Sequence, residues 1–310
     1  MRLILLGPTA VGKTKLSIKV AKHLNSPIIS ADSRQCYKYL NIGTSKPTAR
    51  ELCRIPHYNI SCLDLTEKES AQSFLNRVNN WEVELQQDHD FLLYCGGSTL
   101  HIRVLIQPFD DLPAADDRNV KKLQQEYEQK GIGYLYNKLE EVDPEYAQKM
   151  DGKNRQRIIR ALDVWMQTAQ PFSSFHNTSS KDIWPGKDTV VAGLYRDRQK
   201  LYERIDRRVY KMIEMGLIRE VESIADLGYG KDLHSLKTVG YQEVFEYLDG
   251  EITKDEMIRQ IQTKTRRYAK RQITWFKRWD FVNWLNMDEM SENRALTKIV
   301  NMLEGDRNNS

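Results

Sequence analysis

The sequence predicts an α/β fold, a parallel sheet flanked by helices with a helical insertion domain. Three observations predict it. Residues 2–6 (RLILL) run straight into Gly7-x4-Gly12-Lys13-Thr14, a strand that breaks into a glycine-bearing turn and then a helix. Other short apolar runs, at 27–31, 91–95 and 189–195, each stop at a polar or Gly-rich turn, as buried parallel strands do. Between roughly 110 and 187 the chain turns charged and strand-poor. The expected layout is therefore a P-loop NTPase-like core in two parts, 1–109 and 188–310, with 110–187 inserted.

In chain order, Lys15 to Asn25 carries Leu16, Ile18, Val20 and Leu24 at helical spacing, the helix that a phosphate-binding loop opens. Pro27 to Ala31 reads as the second strand, with Asp32 at its carboxyl end. In an open α/β sheet that edge holds the ligand. A short strand-like segment at 58–63, a helix at 70–87 and the strand 91–95, ended by Gly96 and Gly97, complete the first part. The insertion predicts helices at 117–129, 132–139 and 156–166, and 178–187 reads as the returning linker. After the strand 189–195 come helices at 201–215, 218–227, 242–248 and 253–279. Right-handed crossovers then make the sheet parallel.

The 310 residues are 40% hydrophobic and 29% charged, enough for one sizeable core and a smaller one. No apolar run approaches the roughly 18 residues that cross a bilayer, and Met1 leads directly into a strand, so a cytoplasmic protein without membrane contact is expected. Cys36, Cys53, Cys62 and Cys95 lack disulfide or zinc spacing and read as buried free thiols. The formal charge of +4 is modest but uneven: residues 265–278, TRRYAKRQITWFKR, hold six cations and no acid, against acidic pairs at 110–111 and 116–117. Such a stripe with aromatics suits a polyanion, or a helix whose aromatics simply pack inward.

Chemistry concentrates at the loop Gly7, Pro8, Thr9, Ala10, Val11, Gly12, Lys13, Thr14. Its amides and Lys13 attract phosphate, and the Thr14 hydroxyl suits Mg²⁺. The loop alone does not say whether ATP or another phosphate compound sits there. A phosphoryl-transferring enzyme needs an acid on a second strand for the metal, and the strand ending at Cys95 has none. Asp32 is left as metal contact, general base or helix cap. Arg196, Arg198, Arg204, Arg207 and Arg208 follow the strand 189–195 and offer guanidinium forks for phosphate, with Arg204 and Arg208 on one helix face.

GPTAVGKT, DSRQCYKYLNIGTSKP, GGSTLHIRVL, LPAAD, NRQRIIRALDVW, the Arg198/Arg204/Arg208 run, TVGYQE and YAKRQITWFKR stand in an order that resembles the bacterial tRNA dimethylallyltransferases, over nearly the whole chain. The resemblance implies transfer of a dimethylallyl group from dimethylallyl diphosphate to the N6 amine of the adenosine next to the anticodon, with the base flipped into a channel. It implies that Gly7 to Thr14 cradle diphosphate, with Thr9 and Arg208 among the catalytic groups, Thr14 on Mg²⁺ and Asp32 as general base. It further implies tRNA contacts at Asp32, Ser33, Arg34, Gln35 and Ser98; at Gln156, Arg157, Ile158, Ile159 and Arg160; at Lys237, Thr238, Val239, Gly240, Tyr241 and Gln242; and at Lys270, Arg271, Gln272, Ile273, Thr274, Trp275, Phe276 and Lys277.

His101, Val120 and Ala169 depart from the pattern, which more often has Tyr, a basic residue and Gly there. The partners expected are the tRNA anticodon stem-loop and dimethylallyl diphosphate, and the default state is a monomer. Other readings are a P-loop kinase of a small metabolite or nucleotide, an adenylate prenyltransferase, and a noncatalytic RNA-binding protein.

Overall fold

Five residues, Arg2–Leu6, form the strand on which the larger part of the molecule is built. The computed structural model describes residues 1–107, 112–113, 115–150, 152, 154–175 and 185–307. The chain divides into two compact units, Met1–Gln107 with Trp184–Ser310, and Pro108–Ile183.

In the first unit the strands are β1 (Arg2–Leu6), β2 (Ile28–Ala31), β3 (His57–Tyr58), β4 (Leu92–Gly96), β5 (Thr189–Tyr195) and β6 (Asn283–Asn286). They lie in the order β3-β2-β4-β1-β5-β6, every pairing parallel. Helices α1 (Lys13–Leu24), α2 (Ala49–Leu52), α3 (Ala71–Leu85) and α4 (Thr99–Ile106) belong to the unit, as do α8 (Arg198–Glu214), α9 (Leu217–Asp226), α10 (Tyr241–Leu248), α11 (Lys254–Phe276) and α12 (Glu292–Arg307). The second unit holds α5 (Asp117–Val142), α6 (Pro144–Gln148) and α7 (Arg155–Thr168).

Because both sheet faces are covered, the central strands are apolar throughout: Leu3, Ile4, Leu5 and Leu6 are fully buried. Leu3, Leu5, Val190 and Ala192 share one cluster with Val20, Leu201, Ile205, Ala269 and Ile299. At the carboxyl edge β2 and β4 approach so closely that a side chain at Gly96 would run into the Ala31 carbonyl. That approach brings Asp32 beside Gly97.

Several expectations need amendment. The segment 58–63 is a strand only at His57–Tyr58, with a single further bridge between Tyr37 and Leu63. Strand β6 and helix α12 were not expected. Of the four free cysteines only Cys36 is buried, Cys95 is half-buried, and Cys53 and Cys62 are exposed. The linker 178–187 falls outside the described residues as far as 184, as does the acidic pair 110–111. Among the described residues no helix is long and apolar enough to cross a membrane.

The second unit has its own core of Leu123, Leu135, Leu139, Ile158, Leu162 and Val164, against which Val120 packs. Its long helix is kinked into two at Gly131 (φ 79°, ψ 176°). Ala169 closes α7 in the left-handed region at φ 55°, which explains why glycine suits this position. Ala169→Gly should therefore stabilise the protein by about 0.5–1 kcal/mol, since relief of left-handed strain exceeds the added freedom of the unfolded chain. Chemical denaturation reads this, and a loss of stability would refute the account.

Candidate active site

Four strands deliver their carboxyl ends to one edge of the sheet. Gly7 follows β1, Asp32 follows β2, Gly97 follows β4 and Arg196 follows β5. The loop between β1 and α1 turns at Ala10 (φ 63°) and Gly12 (φ 116°), so its carbonyls face the protein. Four of them are met by cations. Lys13 Nζ donates to Gly7 O at 2.9 Å and Pro8 O at 2.8 Å. Arg204 Nε donates to Ala10 O at 2.8 Å, and Arg196 Nε to Val11 O at 3.0 Å. Arg196 also pairs with Asp288 at 2.7 Å.

These bonds correct the view of the arginines as a common phosphate fork. Arg196 and Arg204 brace the loop from behind. Arg198 and Arg207 are exposed, bonded to Tyr202 and the Glu203 carbonyl. Arg208 alone of the five has no hydrogen bond or ion pair among the described residues. Burial lowers its pKa and Asp32 opposes that shift. Burial likewise brings the Lys13 ammonium down to about 8; Cys95 and Asp32 hold it up, and Arg208 pushes it further down.

Asp32 uses one oxygen structurally. Oδ1 accepts the N–H groups of Arg34 at 2.9 Å and Gln35 at 3.3 Å, capping the turn that follows, while Oδ2 has no partner among the described residues. From α11, Gln272 spans the site: Oε1 accepts the Thr9 N–H at 2.9 Å and Nε2 donates to Gly97 O at 2.7 Å. The Thr9 amide is thus engaged within the protein, bonded to α11. Tyr268, one turn earlier on α11, was missed as a site residue. Burial and the Asp32 carboxylate both raise the pKa of its phenol, while Arg34, Arg271 and a bond to Gln272 work the other way.

Residues 35–279 match the model described as IPP transferase. The chain belongs to that family. It is 40% identical over 297 residues to the tRNA dimethylallyltransferase of Acetivibrio thermocellus, covering 96% of this chain and 95% of the relative. The Caldanaerobacter subterraneus protein of the same name is 41% identical, with 92% and 91% covered. Among solved structures, the tRNA isopentenylpyrophosphate transferase of Bacillus halodurans superposes with TM-score 0.72 at 34% identity, over 98% and 96% of the two chains. A eukaryotic dimethylallyltransferase acting on tRNA shares the fold, at TM-score 0.84 and 24% identity over 98% and 80%.

In this chain the stretches that the resemblance gives to tRNA divide by burial. Ile158 and Ile159 are core residues of the second unit, while Gln156 and Arg157 are exposed and Arg160 pairs with Asp163 at 2.6 Å. Tyr241 is fully buried with its hydroxyl on Glu220 at 2.6 Å, and Gly240 is buried too; Lys237 is exposed, and Thr238, Val239 and Gln242 are half-buried. On α11, Gln272 and Phe276 point inward, Ile273 and Trp275 are half-buried, and Lys270, Arg271, Thr274 and Lys277 are exposed. Side-chain contact with RNA therefore does not fit Ile158, Ile159, Tyr241, Gln272 or Phe276, whose packing or hydrogen bonds hold them inside. Near Asp32, Gln35 is engaged at both ends of its amide, taking the Ser30 hydroxyl at 3.1 Å and donating to Thr44 O and Ser45 O at 3.2 and 3.3 Å. Ser33 is half-buried, Arg34 donates to His234 O at 3.2 Å, and Ser98 is buried at the start of α4. Behind it His101 stacks on Phe74 (4.1 Å, 4°) and meets Glu69 at 3.2 Å, so the departure from Tyr is accommodated by a polar partner.

For a divalent cation the described residues hold no group of three or more His, Cys, Asp or Glu side chains. Thr14 is exposed in the first turn of α1. That set fits Mg²⁺ held by one hydroxyl, waters and the ligand's own phosphate oxygens.

The Lys13 shift has a pH consequence. An anion needs the ammonium form, which the ligand-free protein loses as pH rises through about 8. A bound anion raises that pKa, so diphosphate affinity should fall above this pH with proton uptake on binding. Titration calorimetry from neutral to alkaline pH tests this against Lys13→Met, which should flatten the dependence; an unchanged profile in that variant would place the titration elsewhere.

Proposed function

We propose that this chain transfers the dimethylallyl group of dimethylallyl diphosphate to the exocyclic amine of the adenosine 3′-adjacent to the anticodon in tRNA. The observation that carries the reading is a pair of unsatisfied groups at one sheet edge, the free Oδ2 of Asp32 and the unpartnered guanidinium of Arg208 beside the Lys13 loop. One suits a proton acceptor and the other a departing anion.

An adenine amine is a weak nucleophile because its lone pair is drawn into the ring. As its nitrogen bonds to the allylic carbon, the carbon–oxygen bond to diphosphate breaks and Asp32 takes the amine proton. Negative charge grows on the diphosphate oxygens, which Lys13, Arg208 and the amides at the start of α1 would stabilise. Mg²⁺ held through Thr14 would add charge neutralisation there. Stacked in the anticodon loop the base is out of reach, so it must be extruded, at a cost of a few kcal/mol. Arg34, Ser98 and Tyr268 border the place it would enter.

A kinase reading is disfavoured because β4 ends at Cys95 and Gly96 without an acid for a metal-bound nucleoside triphosphate. The exposed cations of α11 favour tRNA over a mononucleotide. Incubation with labelled dimethylallyl diphosphate, ATP and bulk tRNA tests the function: label should move to tRNA, whereas ATP turnover with a small acceptor, or tRNA binding without transfer, would overturn it.

Asp32→Asn preserves an Oδ1 acceptor for the turn yet cannot take a proton, so single-turnover transfer should slow by about 10²-fold or more while tRNA affinity stays within a few-fold. Wild-type transfer in that variant would remove Asp32 from the mechanism.

On α11, each phosphate contact releases condensed counterions, so Lys270→Ala and Arg271→Ala should each flatten the log–log salt dependence of tRNA binding by somewhat under about one unit. Donor affinity should not change. A wild-type slope in both variants would take the RNA path off this helix.

A further inference from the structure

One carboxylate on α9 holds a loop far from it in sequence. Glu220 accepts the N–H groups of Asn41 (3.3 Å), Ile42 (2.9 Å) and Gly43 (3.4 Å), and the Tyr241 hydroxyl at 2.6 Å. Three successive amides on one carboxylate form an anion nest, here filled from within the chain. The loop is strained, with Tyr39 at φ 65° and Ser45 at φ 48°. Gly43 lies so close to the Tyr241 ring that a side chain there would collide with it. Lys46 adds a third tie, to Asn41 Oδ1 at 3.2 Å and Ser61 Oγ at 2.8 Å.

The far side of this loop presents the Thr44 and Ser45 carbonyls to the Gln35 amide, and the Gln35 N–H in turn meets Asp32 Oδ1. Strain held by so many bonds persists where the surroundings need one geometry. We infer that Glu220 is a positioning residue for the reaction, setting the orientation of the Asp32 carboxylate through the Asn41–Ser45 loop and Gln35. The inference rests on Asp32 acting as the base in the prenyl transfer proposed above. It makes no contact between Glu220 and either substrate.

A double-mutant cycle tests it. Glu220→Gln replaces one acceptor oxygen with an NH2 group that can only donate and would face the nest amides with like polarity, and Gln35→Ala cuts the next link. Each should lower single-turnover transfer by about 10-fold or more, with the Kd of inorganic diphosphate within about two-fold, because the Lys13 loop is untouched. Since both act along one route, the double variant should be no more than about two-fold slower than the slower single one. Multiplying effects, or normal transfer in Glu220→Gln, would overturn the inference. Should Glu220→Gln not fold, as read by its melting transition and by loss of diphosphate binding, Tyr241→Phe takes its place. It keeps the carboxylate, removes one of its bonds, and should show a smaller loss with the same failure to multiply; multiplication there is equally fatal. Absence of transfer by the unmodified protein would instead sink the function itself, so the two failures are distinguishable.

Discussion

The site depends on a backbone constraint. A loop that turns its N–H groups toward an anion must turn its carbonyls the other way, into the protein, and a buried carbonyl without a donor costs as much as a lost hydrogen bond. Gly7, Pro8, Ala10 and Val11 are each answered, two by Lys13 and one each by Arg204 and Arg196. β5, which pairs with β1, supplies two of these donors: it ends at Arg196 and feeds α8, which carries Arg204 one turn before Arg208. The same helix thus braces the loop with one arginine and leaves the next without a bonded partner among the described residues.

A second consequence concerns α11. Its inward face, Ala269, Gln272 and Phe276, follows the 3.6-residue repeat, and its outward face holds Lys270, Arg271, Thr274 and Lys277. Gln272 stitches the Thr9 amide to the Gly97 carbonyl, so the ends of β1 and β4 are joined by the very helix whose opposite face is cationic. Asp32 shows the same economy. Capping the turn and the proton acceptance proposed above are not rival roles, since the cap uses Oδ1 alone.

Much of this was legible in the sequence because it is local. The loop Gly7 to Thr14, the strand before Asp32 and the longer helices of both units, α12 excepted, are written in contiguous apolar periods. Strand β6 was not, since NWLN has four residues and a single fully buried side chain, and it is a strand only because β5 offers an edge with Gly193 leaving room for Trp284. The basic stripe was read as one block, although its own spacing sorts Gln272 and Phe276 from Lys270 and Lys277. Glu220 was out of reach altogether. Its bonds to Asn41, Ile42 and Gly43 join residues 177 to 179 apart, and nothing in the spacing of a solvated-looking helix announces them.

Arg196 and Arg208 separate structure from function by the same chemistry. Both are guanidinium groups drawn into the protein, yet Arg196 has Asp288 and two backbone carbonyls, whereas Arg208 has no bonded partner among the described residues and feels Asp32 only at longer range. A desolvated cation without a counter-ion lowers the stability of the fold, and Lys13 beside it, its ammonium brought down to about 8 chiefly by burial, adds to that cost. Packing cannot account for keeping both. The prenyl transfer proposed above can, because its diphosphate would supply the missing charge only while it is held, and the developing charge of the transition state would meet cations already desolvated.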